Sequence, residues 1–284
     1  MEVLPTFCGN ESQTSGVKGA SSYSRPDLSH SSSTLKENVY QRELEHLIMT
    51  EAFANFSAEW EVDRFAWPTE CLKVQEIIGD KLTMFTELLI QQSYQSEQRL
   101  ILVTGAQEQQ GRSLLTLNLA RQAASANGRI AIIDGDFDNP QIANYLGLEI
   151  EKGWDEVLQN GAPLAEAAIY SLEDNLTLFP LRDYQDGQES VDISSILEKL
   201  TTLFELIFVD AGQLGLTAEK IDPPVTPHPN AAAIIVAQEG SPPHEIEQIQ
   251  NSLHLAGVRC LGTISTFANI AKNPKRQHLE ATQR

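Results

Sequence analysis

Cysteine is scarce in this chain of 284 residues, and its three cysteines, Cys8, Cys71 and Cys260, lie far apart in the sequence. Their number and spacing favour neither a disulfide framework nor a thiolate metal cage. Long apolar runs are missing too, because the longest, residues 231–237, is far shorter than the roughly 20 residues that cross a bilayer. The first residues lack the pattern of a secretory signal. We therefore expect a soluble, cytoplasmic protein without direct membrane insertion.

Basic residues are also few, since 20 Lys and Arg stand against 39 Asp and Glu and give a formal net charge of −19. Binding to nucleic acid needs a basic face that displaces counterions from phosphates. The composition therefore argues against nucleic acid as a partner, and against anionic lipid. The hydrophobic fraction of 41% is sufficient for a substantial core.

The two ends of the chain are predicted to lie outside the folded core. Residues 1–36 form a serine-rich tail, with nine serines among the 23 residues 11–33, and we expect this tail to be disordered. Residues 37–67 combine an acidic helix with a linker that contains Trp60 and Trp67. That helix either packs on its own domain or docks in a partner's groove, and the tryptophans are either packing anchors or a surface patch. A domain over 68–268 and a flexible tail over 269–284 complete the chain.

Within the domain, a helix at about 69–95 precedes short apolar runs that alternate with helical segments. Continuous apolar strands separated by helices indicate a parallel sheet that is covered on both faces. We therefore predict an α/β fold, a doubly wound and mostly parallel sheet in three α/β/α layers. The predicted strands are 100–104, 130–133, 176–179, 206–209, 232–236 and 258–262, and the predicted helices between them are about 113–126, 140–146, 153–170, 191–203 and 243–256.

The loop after the first of these strands has the features of a phosphate-binding loop. It contains Gly105 and Gly111 and leads directly into a helix. A strand, a glycine-bearing loop and a helix N-terminus together present backbone N–H groups and a helix dipole to a phosphate. A strand-to-helix turn without a ligand gives the same local pattern. The candidate binding residues are Gly105, Gln109, Gln110, Gly111, Arg112, Ser113 and Leu114.

Acidic residues follow two of the other strands. Asp134 and Asp136 come after the run 130–133, and Asp210 comes after the run 206–209. A single aspartate there can be a helix cap, but three at one sheet edge beside Ser113 favour a Mg²⁺ site. In a parallel sheet, ligands bind at the carboxyl ends of the strands.

Taken together, these motifs resemble the ParA/MinD-type P-loop ATPases. The order is a phosphate loop, Asp-x-Asp-x-x-x-Pro from Asp134 to Pro140, an apolar run that ends in Asp210, and Gly257 and Gly262 near the last strand. Residues 146–148, 153–158 and 162–164 are most similar to the cytoplasmic domain of bacterial tyrosine kinases that regulate capsule and exopolysaccharide synthesis. The resemblance covers about 70–268.

The resemblance implies ATP and Mg²⁺ as cofactors. Backbone N–H groups from 107 to 114 would cradle the phosphates, with Arg112 beside them. Ser113, Asp134 and Asp210 would hold the metal. The catalytic residues would be Asp134, Asp136 and Asp210, which orient the attacking group, together with Arg112. The resemblance also implies a partner, either a membrane polysaccharide co-polymerase or export protein, or a second copy of the chain.

Two departures from the family pattern bear on activity. Arg112 stands where the family has a lysine, and a planar guanidinium does not reproduce the geometry of a compact ammonium. Gln109 stands where the family has a glycine, which matters if that position needs a positive φ. In addition, residues 267–284 contain no tyrosine, which argues against self-phosphorylation at a cluster within them.

Three hypotheses therefore stay open. The first is a P-loop regulator that binds nucleotide and has little or no turnover, because of Arg112. The second is an active ATPase or ATP-dependent protein-tyrosine kinase. The third, a ParA- or MinD-like positioning ATPase, fits the acidic composition least.

Overall fold

A computed structural model of the chain describes residues 56–126, 128–182, 193–214, 228 and 230–266. The predicted disordered tail, the predicted acidic helix before residue 56 and the predicted C-terminal tail lie outside these ranges. The strands are β1 (Trp60–Val62), β2 (Leu100–Gly105), β3 (Ile130–Asp134), β4 (Ile169–Ser171), β5 (Leu176–Phe179), β6 (Leu206–Gln213), β7 (Ala231–Gln238) and β8 (Arg259–Thr266). The helices are α1 (Thr69–Ser96), α2 (Arg112–Ala124), α3 (Ile142–Tyr145), α4 (Trp154–Asn160), α5 (Ile193–Leu203) and α6 (Pro243–Leu255), with a 3₁₀ turn at Leu164–Ala167.

The eight strands form one sheet in the order β1-β4-β5-β3-β6-β2-β7-β8. In the described residues, β4 with β5 is the only antiparallel pair, and every other neighbouring pair is parallel. The predicted doubly wound, mostly parallel sheet is thus confirmed. The central strands β3, β6 and β2 end at the same edge, which places their following residues together.

The hydrophobic core has two halves, one on each face of the sheet. Successive residues of β2 alternate between them, because Leu100 and Leu102 belong to one cluster whereas Ile101 and Val103 belong to the other. Helices α4, α5 and α6 cover the first face, and helices α1 and α2 cover the second. Strands buried on both faces need apolar residues at every position, and each such side chain contributes roughly 1.5–3 kcal/mol of transfer free energy.

The prediction of one helix over 153–170 is wrong. Helix α4 ends at Asn160 because Gly161 adopts a left-handed conformation (φ 66°) and its N–H returns to the carbonyl of Val157. Pro163 then disfavours a helical conformation at the residue before it. The chain passes through the 3₁₀ turn into β4, a strand that the apolar spacing did not reveal. A second unpredicted strand, β1, lies beside β4 at the edge of the sheet.

The described part of the predicted linker, residues 56–67, packs on the domain. Phe56 contacts the rings of Phe179 and Phe204, with centroids 6.3 and 5.8 Å away. The Trp67 indole N–H donates a hydrogen bond to the Asp174 carboxylate at 2.8 Å, which confirms this tryptophan as a packing anchor. Trp60 on β1 remains 40% exposed, although its indole N–H donates to the carbonyl of Glu166.

No helix within the described ranges has the length and apolarity that a membrane span requires.

Asp174 is the main polar attachment of residues 56–67 to the domain, and substitution of Asp174 tests that role. Its carboxylate accepts hydrogen bonds from the Phe65 N–H, the Trp67 indole and the Ser171 hydroxyl. We expect Asp174→Ala to lower the free energy of unfolding by about 2–3 kcal/mol, because three donors lose their acceptor. Urea denaturation measures the change.

The adjacent Glu173→Ala is the matched control. The Glu173 side chain forms an exposed ion pair with Arg64 at 3.9 Å, and its backbone N–H bond to the Asp63 carbonyl survives the substitution, so this change should cost less than about 0.5 kcal/mol. Equal effects of the two substitutions would contradict the role of Asp174.

Candidate functional site

The candidate site begins with the loop between β2 and α2. Gly111 caps α2 with a φ of 84°, and Gln109 has a φ of 56°. Both residues therefore lie in the left-handed region, where a residue other than glycine costs roughly 1–2 kcal/mol. Gln109 stands where the family has a glycine, and the backbone at this position does adopt a positive φ. The loop keeps a glycine-type backbone with a glutamine in it.

Gln110 supports the loop from within the protein. Its side chain is buried, and its Oε1 accepts a hydrogen bond from the Gln107 N–H at 3.2 Å. Gly105 makes room for this carboxamide, since a Cβ there would lie 2.4 Å from Oε1 and 2.6 Å from the Val236 carbonyl oxygen. The Thr266 hydroxyl donates to the Gln110 carbonyl at 2.7 Å. Gly105 and the Gln110 side chain therefore shape the loop from behind.

Arg112 is the cation of this loop, and it is already paired. Its Nη1 donates to the Gln107 carbonyl, and its Nη2 lies 3.3 Å from Asp136 Oδ2. The residue is only 8% exposed, and its Nε–H has no hydrogen-bond partner. The guanidinium thus spans the loop and the segment after β3, and its Nε–H is left buried without an acceptor.

Three oxygen-bearing side chains meet at the ends of β3 and β6 and at the start of α2. Asp134 and Asp210 are register partners in the paired strands, and Ser113 is hydrogen-bonded to the Asp210 carboxylate. Asp134 Oδ2 accepts a bond from the Ile142 N–H at 2.9 Å. The other oxygen of Asp134 and Oδ1 of Asp210 are buried without hydrogen-bond partners. Buried, unpaired carboxylate oxygens of this kind are costly unless something binds them.

Burial changes the acidity of this group. It raises the pKa of Asp210 from 3.8 to about 6, although the bond from Ser113 and the charge of Arg112 oppose the increase. Burial, together with the nearby Asp210 charge, raises the pKa of Asp134 well above its ordinary value. Burial also raises the pKa of Asp136, with Arg112 as the main opposing influence. Each shift reflects a negative charge held away from water.

These residues fit a magnesium ion by their chemistry. Ser113, Asp134 and Asp210 offer hard oxygen donors, and two of their carboxylate oxygens lack partners. Within the described ranges, no three His, Cys, Asp or Glu residues converge into a ready metal cage. Mg²⁺ does not need one, because it keeps several waters and binds through one or two carboxylates together with phosphate oxygens.

A cavity of about 150 Å³ opens in front of the loop. Glu108, Asp136 and Asp138 contribute acidic side chains to its wall, and Arg112 contributes the basic one. The predicted residues Gln109, Gln110, Gly111, Arg112, Ser113 and Leu114 all line it, whereas Asp134 and Asp210 lie deeper in the protein. Motif reasoning missed further lining residues that follow β3 or end β6 without a recognisable spacing, among them Asn139, Gln141, Tyr145 and Gln213.

The sequence matches a family model described as the CobQ/CobB/MinD/ParA nucleotide binding domain over residues 101–280. The chain belongs to this family. The match begins in β2 and includes the loop, Asp134, Asp136 and Asp210. The family membership confirms the resemblance to ParA/MinD-type ATPases and describes the domain as a nucleotide-binding one. No curated protein sequence matches the chain.

Solved structures of bacterial tyrosine kinase domains share the fold of this family member. The BceF tyrosine kinase domain has a TM-score of 0.55 and 19% identity, with 76% of this chain and 95% of that one covered. The VpsO kinase domain has a TM-score of 0.58 and 19% identity, with 69% and 98% covered. The kinase domain of Escherichia coli ETK has a TM-score of 0.50 and 19% identity, with 60% and 68% covered. At these identities the likeness establishes the fold.

The raised pKa of Asp210 predicts a pH dependence of stability. The unfolded chain releases this proton near pH 3.8, whereas the folded chain holds it to about pH 6. The folded state binds more protons between these values, so the free energy of unfolding falls as the pH rises through this range. The shift corresponds to about 3 kcal/mol. We expect Asp210→Asn to match the wild type near pH 4 and to exceed its stability at pH 8, by up to that amount.

Urea denaturation at pH 4, 5, 6 and 8, in buffer without divalent cations, measures this difference. Asp138→Asn at the cavity wall is the control, because it removes one negative charge from an exposed side chain, and Asp210→Asn should exceed its stability at pH 8. A wild-type stability that rises from pH 4 to pH 6 relative to Asp210→Asn would contradict the prediction.

Proposed function

We propose that this chain is a regulator of the P-loop ATPase fold, which binds Mg²⁺ with ATP or ADP and hydrolyses ATP slowly. One observation carries the proposal. The only basic side chain on the wall of the described cavity, Arg112, is bound by the Asp136 carboxylate and by the Gln107 carbonyl. A cation held in this way is not free to stabilise the charge that develops on a transferred phosphoryl group.

Nucleotide binding is supported by the backbone. The loop leads into α2, a helix of 13 residues, and Gly111, in the left-handed conformation at its N-terminus, lines the cavity. Backbone N–H groups and the dipole of a helix attract phosphate regardless of which side chains surround them. Binding therefore survives the replacement of lysine by arginine better than catalysis does.

Slow hydrolysis is supported by the chemistry of Arg112. A guanidinium keeps the positive charge but spreads it over a planar fork, so it does not replace the ammonium of a P-loop lysine in geometry. Removal of a single preorganised donor from a transition state lowers turnover by roughly 100- to 1,000-fold. We expect a loss of this size here.

The remaining residues have defined roles in the proposal. Ser113, Asp134 and Asp210 hold Mg²⁺, which would neutralise charge on the phosphates when bound. Asp136 faces the loop across the cavity and is the carboxylate nearest to Arg112. Gly212, with a φ of 66°, permits this approach, since a Cβ there would lie 2.9 Å from the Asp136 carboxylate.

A second candidate is an active ATPase or ATP-dependent protein-tyrosine kinase. It is favoured by the intact set of Ser113, Asp134 and Asp210. Ser113 is hydrogen-bonded to Asp210, and each aspartate has a buried carboxylate oxygen without a partner that suits a metal. The fold it shares with BceF and VpsO kinase domains agrees with either function. The two candidates differ only in how fast phosphate is released or transferred.

The proposed regulator acts through a partner. We propose a membrane protein of polysaccharide export, or a second copy of the chain, in a cytoplasmic setting. The apolar side chains of Leu72, Ile77, Met84 and Leu88 on α1 are exposed and support a protein contact. Sedimentation equilibrium of the full chain separates these choices, because a dimer supports self-association and a monomer supports the membrane partner.

Calorimetric titration with Mg·ATP and Mg·ADP tests the main proposal. We expect saturable binding of both nucleotides at the cavity in front of the loop, with hydrolysis of ATP too slow to disturb the titration. No binding of either nucleotide would overturn the proposal. Rapid hydrolysis or phosphorylation of tyrosine by the wild-type chain would establish the second candidate.

Substitution of Arg112 tests the cause of the slow turnover. We expect Arg112→Lys to raise the hydrolysis rate by about 100-fold, because it restores a compact ammonium among otherwise suitable residues. Arg112→Met, which keeps the length without the charge, should weaken binding and should not raise the rate. If Arg112→Lys leaves the rate unchanged, the limit lies in the loop, where Gln109 replaces a glycine.

A further inference from the structure

The pair of Arg112 and Asp136 has a property that the proposed function does not require. Both residues line the cavity that an anionic ligand would have to enter, and the Asp136 carboxylate lies 3.3 Å from the guanidinium. Both side chains are almost buried, with 8% and 12% of their surface exposed. A pair in such surroundings is less screened by water and salt than a surface ion pair.

The carboxylate is held in this position by the backbone. Its Oδ1 accepts a hydrogen bond from the Asn139 N–H at 3.1 Å, and the absence of a side chain at Gly212 leaves room for it. Asp136 is thus fixed on one side and bound to Arg112 on the other. Asp138, two residues later, lines the same cavity, and within the described part of the chain it forms no ion pair with the guanidinium.

The unpaired Nε–H of Arg112 indicates what the site lacks. A buried donor without an acceptor is costly, so the site gains from a ligand with several acceptor oxygens. A phosphate can accept from more than one N–H of a guanidinium, whereas Asp136 accepts from Nη2 alone, at 3.3 Å. The two anions therefore compete for one cation.

We propose that Asp136 acts as an internal competitor of the nucleotide phosphates for Arg112, so that this ion pair must open before the phosphates bind. This inference rests on the proposed function and adds a determinant of specificity to it. A divalent cation near Asp134 and Asp210 attracts the Asp136 carboxylate and so favours the open pair. The site therefore selects metal-bound over metal-free nucleotide.

Titration with ADP in the presence of EDTA tests the competition directly. We expect the wild-type chain to bind metal-free ADP weakly and Asp136→Asn to bind it about 10-fold more tightly or better, because a charged hydrogen bond no longer has to break. The ratio of affinities with and without Mg²⁺ should be smaller in Asp136→Asn than in the wild type. Asp136→Ala should behave in the same way.

Asp138→Asn is the matched control, since it removes the same charge from the same cavity without changing the ion pair. Its effect on metal-free ADP should stay below about 3-fold. An equal gain from both substitutions would overturn the proposal in favour of a general field effect. No gain from Asp136→Asn, with Mg·ADP binding intact in the wild type, would overturn it while the proposed function stands. Failure of the wild type and of every variant to bind Mg·ADP would instead remove the proposed function itself, and this inference with it.

Circular dichroism and the urea midpoint of each variant establish that it is folded. Pyrophosphate in EDTA provides a second probe, because it offers the phosphate oxygens without a base or ribose. The same order of affinities is expected, with Asp136→Asn above Asp138→Asn. A reversed order would contradict a competition at Arg112.

Discussion

The parallel pairing of β3 with β6 and of β6 with β2 is the constraint on which the site depends. These strands are buried on both faces, so their apolar residues fix register and direction together. Their ends meet at one edge, where Asp134 and Asp210 become direct neighbours and α2 brings Ser113 to them. Burying two carboxylates there is unfavourable, and the packing of the whole sheet offsets this free-energy cost.

Negative charge predominates at the edge of the sheet where Asp134 and Asp210 meet. The chain carries −19 overall, and the described cavity has three acidic side chains and one arginine. Such a field repels an anionic ligand at long range, so the proposed nucleotide binding would depend on short contacts with the loop N–H groups, the helix start and the single guanidinium. Under that proposal, Arg112 would influence ligand binding more than one cation does in a basic pocket, and so would its pairing with Asp136.

Much of the fold was predictable because the apolar runs that form β2, β3, β5, β6, β7 and β8 are continuous and are separated by helical spacing. The edge strands β1 and β4 were not, because each has only three residues and owes its conformation to its neighbours. The break after α4 shows the same limit. The helical spacing of apolar residues continues past Asn160. The left-handed conformation of Gly161, together with Pro163, nevertheless ends the helix, and the chain goes on to pair with β5.

The sequence by itself determined the α/β architecture, the glycine-bearing loop between β2 and α2, and the grouping of Ser113, Asp134, Asp136 and Asp210 near one edge of the sheet, because strand order and local spacing encode these features. The tertiary structure decided how the loop residues are used. It placed the Gln110 carboxamide behind the loop, gave Gln109 a positive φ, and joined Arg112 to Asp136 across 24 positions of sequence. The last contact depends on the room beside Gly212 and on the bond from Asn139, so it follows from packing in three dimensions and not from any local pattern.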